Sequence, residues 1–275
     1  MKAFSIIIPT CCRERMLRKC LYSLEKQVVK NFEVIIVNDS PETLTIPVNF
    51  SFELKVVESG QRRGPGYCRN AALDYVKTDY CAFIDDDCLP VSGWSDNIEK
   101  KVVNKGLTAA KGYVRFPGDR IVSMYLRNQI FGYNHTEEWS STCNVVIKKS
   151  IFKNTLFDPY YTFAYEDVDF FERSSVMPVP VKGMAVLHYG KASVFSIIKS
   201  NFMYGRGAYL YYEKMKNPKR SSYGNFFLKQ IINHIRWLRK LDNLFEFSLL
   251  LIIFIYMDIM RIFVYKAGSV YERFH

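Results

Sequence analysis

Residues 80–90 read YCAFIDDDCLP (Tyr80–Pro90), an apolar run followed without a break by Asp85, Asp86 and Asp87. A continuous apolar stretch of this length reads as a strand buried on both faces, the kind that builds parallel sheets. Three adjacent carboxylates repel one another and are tolerated where water or a cation neutralises them. A bare acidic triplet reads as a solvated turn. Launched from the carboxyl end of a buried strand, the same triplet reads as a ligand site.

Upstream, the same grammar repeats. Phe4–Pro9 (FSIIIP) and Phe32–Val37 (FEVIIV) are further buried runs, and Leu54–Val57 is a weaker one. Between the first two, Met16, Leu17, Cys20, Leu21, Leu24 and Val28 recur at helical spacing. The glycine-rich SGQRRGPGYCRNAALDYV leads through Pro65 into a second helix, since proline is accepted in a first helical turn. Strands alternating with helices predict a mostly parallel α/β sheet, Rossmann-like and flanked by helices. In such sheets ligands bind outside the carboxyl ends of the strands. Thr10, Asp39 and Asp85 each end a separate strand, so one edge should gather all three.

Downstream, AAKGYVRF and TCNVVIKK predict shorter strands in an antiparallel extension. The acidic FAYEDVDFFE (Phe163–Glu172) runs into a helix, and Val186–His188 ends another apolar run. From about Ser193 the pattern is helical, basic and aromatic. This divides the chain into an α/β domain over 1–192 and a basic, aromatic helical extension over 193–275.

The charge is concentrated in that extension. The net charge is +11, and between Lys182 and Lys240 stand twelve Lys/Arg against the single acid Glu213, leaving 26 of each sign elsewhere. A localised basic surface suits an anionic partner, nucleic acid or an acidic membrane face. Leu244–Tyr265 is strongly apolar, but its core, Phe247–Met257, runs for only eleven residues. A span needs about 20, so the readings are a buried or dimer-forming helix, or one lying in the membrane interface. None of the seven cysteines forms a C-x-x-C pair, which argues against a zinc cluster or disulfide framework. They read as buried free thiols in a reducing compartment. MKAFSIIIPTCC is too short for a signal peptide and reads as a first strand in a cytoplasmic chain, peripheral at most to the membrane.

Asp85 and Asp87 are placed to share a Mg²⁺ or Mn²⁺ ion that completes its shell with phosphate oxygens and water. Gly60–Asn70 offers Arg62, Arg63 and Arg69 with backbone amides at a helix start, suited to anionic groups, but it is no P-loop because the Gly-Lys-Ser/Thr is missing. Of Glu166-Asp167-x-Asp169, one carboxylate could take a proton from a hydroxyl, although acids in a first helical turn also favour the helix dipole. His188 is a structural histidine or, as a neutral imidazole, a metal ligand.

Taken in order, FSIIIPTCCRERMLRKCLYSLEKQ, FEVIIVNDS, GPGYCRNAAL, YCAFIDDDCLP, TCNVVIKKSIF and FDPYYTFAYEDVDFFER resemble the GT-A glycosyltransferases of the family 2 type, over roughly residues 3–190. The resemblance implies a nucleotide-sugar donor, usually UDP-linked, a divalent metal and inversion at the anomeric carbon. By the same resemblance Asp39 reads the base, with Thr10 and Arg13 in the loop beside it, and Arg69 helps hold the nucleotide. Asp85 and Asp87 are the outer positions of a D-x-D element with Asp86 between them, and His188 joins Asp85 and Asp87 on the metal. Asp167 is implied as catalytic base, with Glu166 close to the acceptor, and Asn144 lines the donor pocket. The segment before Asn144 is usually glycine-rich; here it is Ser141-Thr142-Cys143. The acceptor expected is a glycan or a lipid-linked acceptor; the other partners expected are an anionic membrane surface and a second copy of the chain through the C-terminal helices, with no nucleic acid. A nucleotidyltransferase acting on a sugar phosphate would also use paired aspartates and a metal, but would release pyrophosphate. A basic nucleic-acid or membrane-binding module would leave the carboxylates without a task.

Overall fold

The computed structural model describes residues 2–46, 49–117, 141–189 and 203–214, together with single helical positions between 228 and 267. Its first unit comprises Met1–Pro117, Glu137–Thr162 and Glu166–Gly190, and the remainder forms the second.

The first unit is built on an eight-stranded sheet. Its strands are β1 (Phe4–Thr10), β2 (Phe32–Asn38), β3 (Glu53–Glu58), β4 (Tyr80–Ile84), β5 (Cys88–Pro90), β6 (Ala109–Arg115), β7 (Asn144–Lys148) and β8 (Val179–His188). They lie side by side in the order β3-β2-β1-β4-β7-β6-β8-β5. The left half, β3 to β4, is parallel throughout. β7 runs antiparallel to both β4 and β6, as the shorter downstream strands suggested, while β6 and β8 are parallel.

The apolar runs explain the middle of the sheet. β2 and β4 are buried at every position, the state in which alternation between faces has no reason to appear. Ile7, Ile35, Val37, Phe83, Val145 and Ile147 share one face, and Cys68 and Ala72 of helix α2 (Pro65–Leu73) pack on it. On this face Phe157 stacks on Phe170 with ring centroids 4.4 Å apart, Phe170 being fully buried on helix α4 (Glu166–Ser174). Truncating such a ring to alanine costs about 3–5 kcal/mol. Helix α1 (Glu14–Glu25) buries Leu17, Cys20, Leu21 and Leu24, one stripe at helical spacing. Helix α3 (Trp94–Ile98) follows the aspartates and buries Trp94.

β1 pairs with β2 on one side and β4 on the other. The winding direction reverses there, so a crevice opens between the carboxyl ends of β1 and β4. Thr10 is the last residue of β1, and Asp85 directly follows β4.

In the second unit, residues 203–214 are helical and include the Tyr204–Gly207 run. Gly207 sits where a Cβ would lie 2.8 Å from the Tyr165 ring and 2.9 Å from the Ala164 carbonyl. Most of Leu244–Tyr265, on which the interfacial-helix and homo-oligomer expectations rest, lies outside the described residues. Among the described residues no helix is long and apolar enough to cross a membrane.

Candidate active site

Asp85, Asp86 and Asp87 point in different directions because the chain turns between β4 and β5. Asp86 turns back under β1: it accepts the Thr10 hydroxyl at 2.7 Å and an Arg13 nitrogen at 2.9 Å, and is 2% exposed. Burial pushes its carboxyl up to about 7, against the pull of Arg13. Asp86, expected among the donor-binding residues, here has its carboxylate oxygens on Thr10 and Arg13. The second guanidinium nitrogen of Arg13 bonds Asp87, so one arginine spans two of the three aspartates.

Asp87 also meets His188 Nε2 at 3.1 Å. Burial opposes its ionisation, yet His188 and Arg13 beside it hold the carboxyl well below the usual range. Conversely, burial disfavours the imidazolium, but Asp87 carries His188 up to about 9. That pairing favours the imidazolium of His188, and a cation held by Asp87 would compete with its proton.

Asp85 turns the other way. Its side chain is 32% exposed and receives Arg69 at 3.1 Å, while the other arm of Arg69 reaches Glu166 at 2.8 Å. Arg69 itself is 2% exposed. It therefore ties the acidic turn after β4 to the first turn of α4. Next to Glu166, the half-buried Asp167 accepts the Val168 amide at 2.8 Å. Burial first, then the neighbouring Glu166, pushes the Asp167 carboxyl up to about 7, with Arg69 pulling the other way.

Asp39 accepts the Arg63 and Gly64 amides at 2.7 and 2.9 Å, and its own amide donates to the Thr10 carbonyl at 2.7 Å. It thereby anchors the glycine-rich loop to the end of β1. Gly64 has φ +91, and a Cβ there would lie 2.6 Å from the Thr162 carbonyl oxygen. Only glycine meets both demands.

Asn144 stands at the head of β7, opposite Ile84. Its amide nitrogen donates to the Tyr113 and Met184 carbonyls, both at 3.1 Å, and its oxygen accepts the Trp94 indole at 2.9 Å. A Cβ on Gly112 would overlap this amide. Asn144, expected to line the donor pocket, has its side chain turned inward here, where it fastens β6 to β8.

One group was missed. The ligand atoms of Asp85, Asp87, Cys88 and His188 all lie within 4.8 Å of one another, and His188 Nδ1 is buried without a hydrogen-bond partner among the described residues. Mixed carboxylate, imidazole and thiol donors with an unused buried nitrogen fit a divalent first-row cation. Cys88 was invisible in the sequence because it looked like one more thiol of an apolar stretch. All seven cysteines are free, as expected, but Cys12 is exposed rather than buried.

The family model for glycosyl transferase family 2 matches residues 5–172. An uncharacterized glycosyltransferase of Haemophilus influenzae is 37% identical over 84 residues, 30% of this chain and 29% of that protein. The GalNAc(5)-diNAcBac-PP-undecaprenol beta-1,3-glucosyltransferase of Campylobacter jejuni is 26% identical over 128 residues, 44% of this chain and 39% of that one. The chain thus spans well under half the length of these relatives. Among solved structures, a mannosyltransferase from Pyrobaculum calidifontis in complex with GDP-Man and Mn²⁺ superposes with a TM-score of 0.63 at 14% identity, covering 98% of this chain and 86% of that one. That likeness is one of fold, the GT-A type that the order of motifs implied.

Proposed function

The chain belongs to glycosyl transferase family 2, and from that premise we propose that it moves a sugar from a nucleotide-sugar donor, UDP-linked, to a hydroxyl of a glycan or lipid-linked acceptor, with inversion. The observation that carries this reading is the bridge made by buried Arg69 between Asp85 and Glu166. It sets a cation-type cluster and a proton-accepting cluster side by side at the switch point of the sheet, as a displacement with an anionic leaving group requires.

In this reading the loop pinned by Asp39 borders the nucleotide base, and Thr10 and Arg13 line the same crevice. Arg69 orients Asp85 toward the donor while holding Glu166 beside the acceptor. Asp87 and His188, with Asp85, would hold Mn²⁺ or Mg²⁺. Such a cation, when bound, supplies stabilisation of charge on the departing diphosphate. Asp167 accepts the proton of the attacking hydroxyl as the bond to the anomeric carbon forms on the face opposite the nucleotide. A carboxyl raised to about 7 is a better proton acceptor than an ordinary one and still ionises near neutrality.

The acceptor assignment draws on the relative in Campylobacter jejuni, whose name places its acceptor on an undecaprenyl lipid. It draws also on the tail, where Ile252, Ile255, Ile259 and Phe263 are 64, 52, 57 and 65% exposed. These positions fall on one helical face, and the basic segment precedes them. An interfacial helix on an anionic cytoplasmic membrane face accounts for both.

The decisive experiment is a thermal-shift panel of UDP and GDP, each with and without Mn²⁺. Stabilisation by UDP that requires Mn²⁺ is the expected result. A response to GDP alone would replace the uridine assignment, and no metal-dependent response to either would sink the proposal.

A further inference from the structure

We infer that Cys88 is a ligand in the cation site and makes it thiophilic, so that a zinc- or cadmium-class ion binds through Asp87, Cys88 and His188 in competition with the harder catalytic cation. The inference deepens the proposed function and rests on its cation site.

β5 and β8 are antiparallel, and Cys88 lies directly opposite His188. Residues opposite each other in such a pair project from the same face with their Cβ atoms about 4.5–5.5 Å apart. Cys88 follows Asp87 in the chain, and its sulfur lies 3.9 Å from Asp87 Oδ1. The pairing therefore delivers sulfur, imidazole and carboxylate to one point. A second thiol, that of the buried Cys143, contacts Cys88.

Burial alone would not distinguish this cysteine. Cys81 is equally buried, but it lies in the apolar core face with Ile7, Val37 and Phe83. The Cys88 sulfur instead faces Asp87, His188 and another thiol. Sulfur ligands select zinc-class ions over magnesium and manganese, which prefer oxygen. Zn²⁺ accepts cysteine, histidine and carboxylate together in a tetrahedral shell. Binding replaces the thiol proton with the metal; the proton passes to solvent and no atom changes oxidation state. A hard ion would use the carboxylates and the diphosphate oxygens, whereas a soft one is drawn inward onto sulfur and away from the donor.

The test is a Cd²⁺ titration of the full chain, followed by the ultraviolet sulfur-to-cadmium charge-transfer band. It is carried out in a Cys11→Ser/Cys12→Ser background so that the more accessible thiols do not contribute. A saturable band is expected, with Cd²⁺ affinity reduced roughly tenfold or more in Cys88→Ser, at least the loss seen when a metal ligand merely loses its support. Cys88→Ala serves if the serine variant does not give a native melt. No band in the parent, or a band of unchanged affinity in both Cys88 variants, overturns the inference. A Mn²⁺/UDP thermal shift on the parent chain separates the two claims. If that shift occurs without a cadmium band, the thiophilic inference alone fails. If the band is Cys88-dependent but Mn²⁺ gives no shift with either UDP or GDP, the thiol ligand stands and the glycosyl-transfer reading fails.

Discussion

Replacing Arg69 with glutamine removes the one cation between two carboxylates. Arg69 is 2% exposed, and the side chain of its partner Glu166 is 7% exposed. Asp85, with its side chain 32% exposed, can recover water, so its share is about that of a surface pair, up to about 1 kcal/mol. Glu166 cannot, and breaking a buried pair from one side costs about 3–5 kcal/mol. For a chain of this size that is a fall in Tm of roughly 6–20 °C, at about 2–4 °C per kcal/mol. Urea melts measure it. A deficit below about 1 kcal/mol, the ceiling for an exposed pair, would refute the claim that Arg69 compensates a buried charge.

Three further tests address the proton acceptor and the membrane. Asp167→Asn should lower turnover by about 10²–10⁴, the usual worth of a general base, while UDP-induced thermal stabilisation persists; wild-type turnover in the variant would remove Asp167 from the mechanism. Because burial and Glu166 raise the Asp167 carboxyl to about 7, its basic form accumulates above that pH. Wild-type turnover should therefore rise through pH of about 7, whereas a profile already flat from acid pH would mean the carboxyl is ionised throughout. Ile255→Glu with Ile259→Glu should abolish flotation with anionic phospholipid vesicles; unchanged flotation would assign the exposed stripe to another contact.

What the sequence disclosed and withheld follows from range. β1, β2 and β4 were legible because burial on both faces leaves an unbroken apolar run. Asp39 and Asp85–Asp87 were legible because each follows such a run, and strand ends in a parallel sheet share one edge. β5 was not legible: three residues, Cys88–Pro90, carry no periodicity. The Arg69–Glu166 pair spans 97 positions, and complementary charge alone cannot pick one arginine from many. The inward turn of Asn144 was hidden as well, because it answers to Gly112, Met184 and Trp94, which come together only when β6, β7 and β8 do.

The pairing of β5 with β8 has a consequence for how errors would propagate. Side-chain direction alternates along a strand, so slippage by one residue would present Leu187 where His188 belongs. Neither strand would need to unfold for the imidazole to be carried to the opposite side. Assembly of this corner is thus all or nothing, and a chain misaligned there would be compact, full of secondary structure and without the meeting of Asp87, Cys88 and His188.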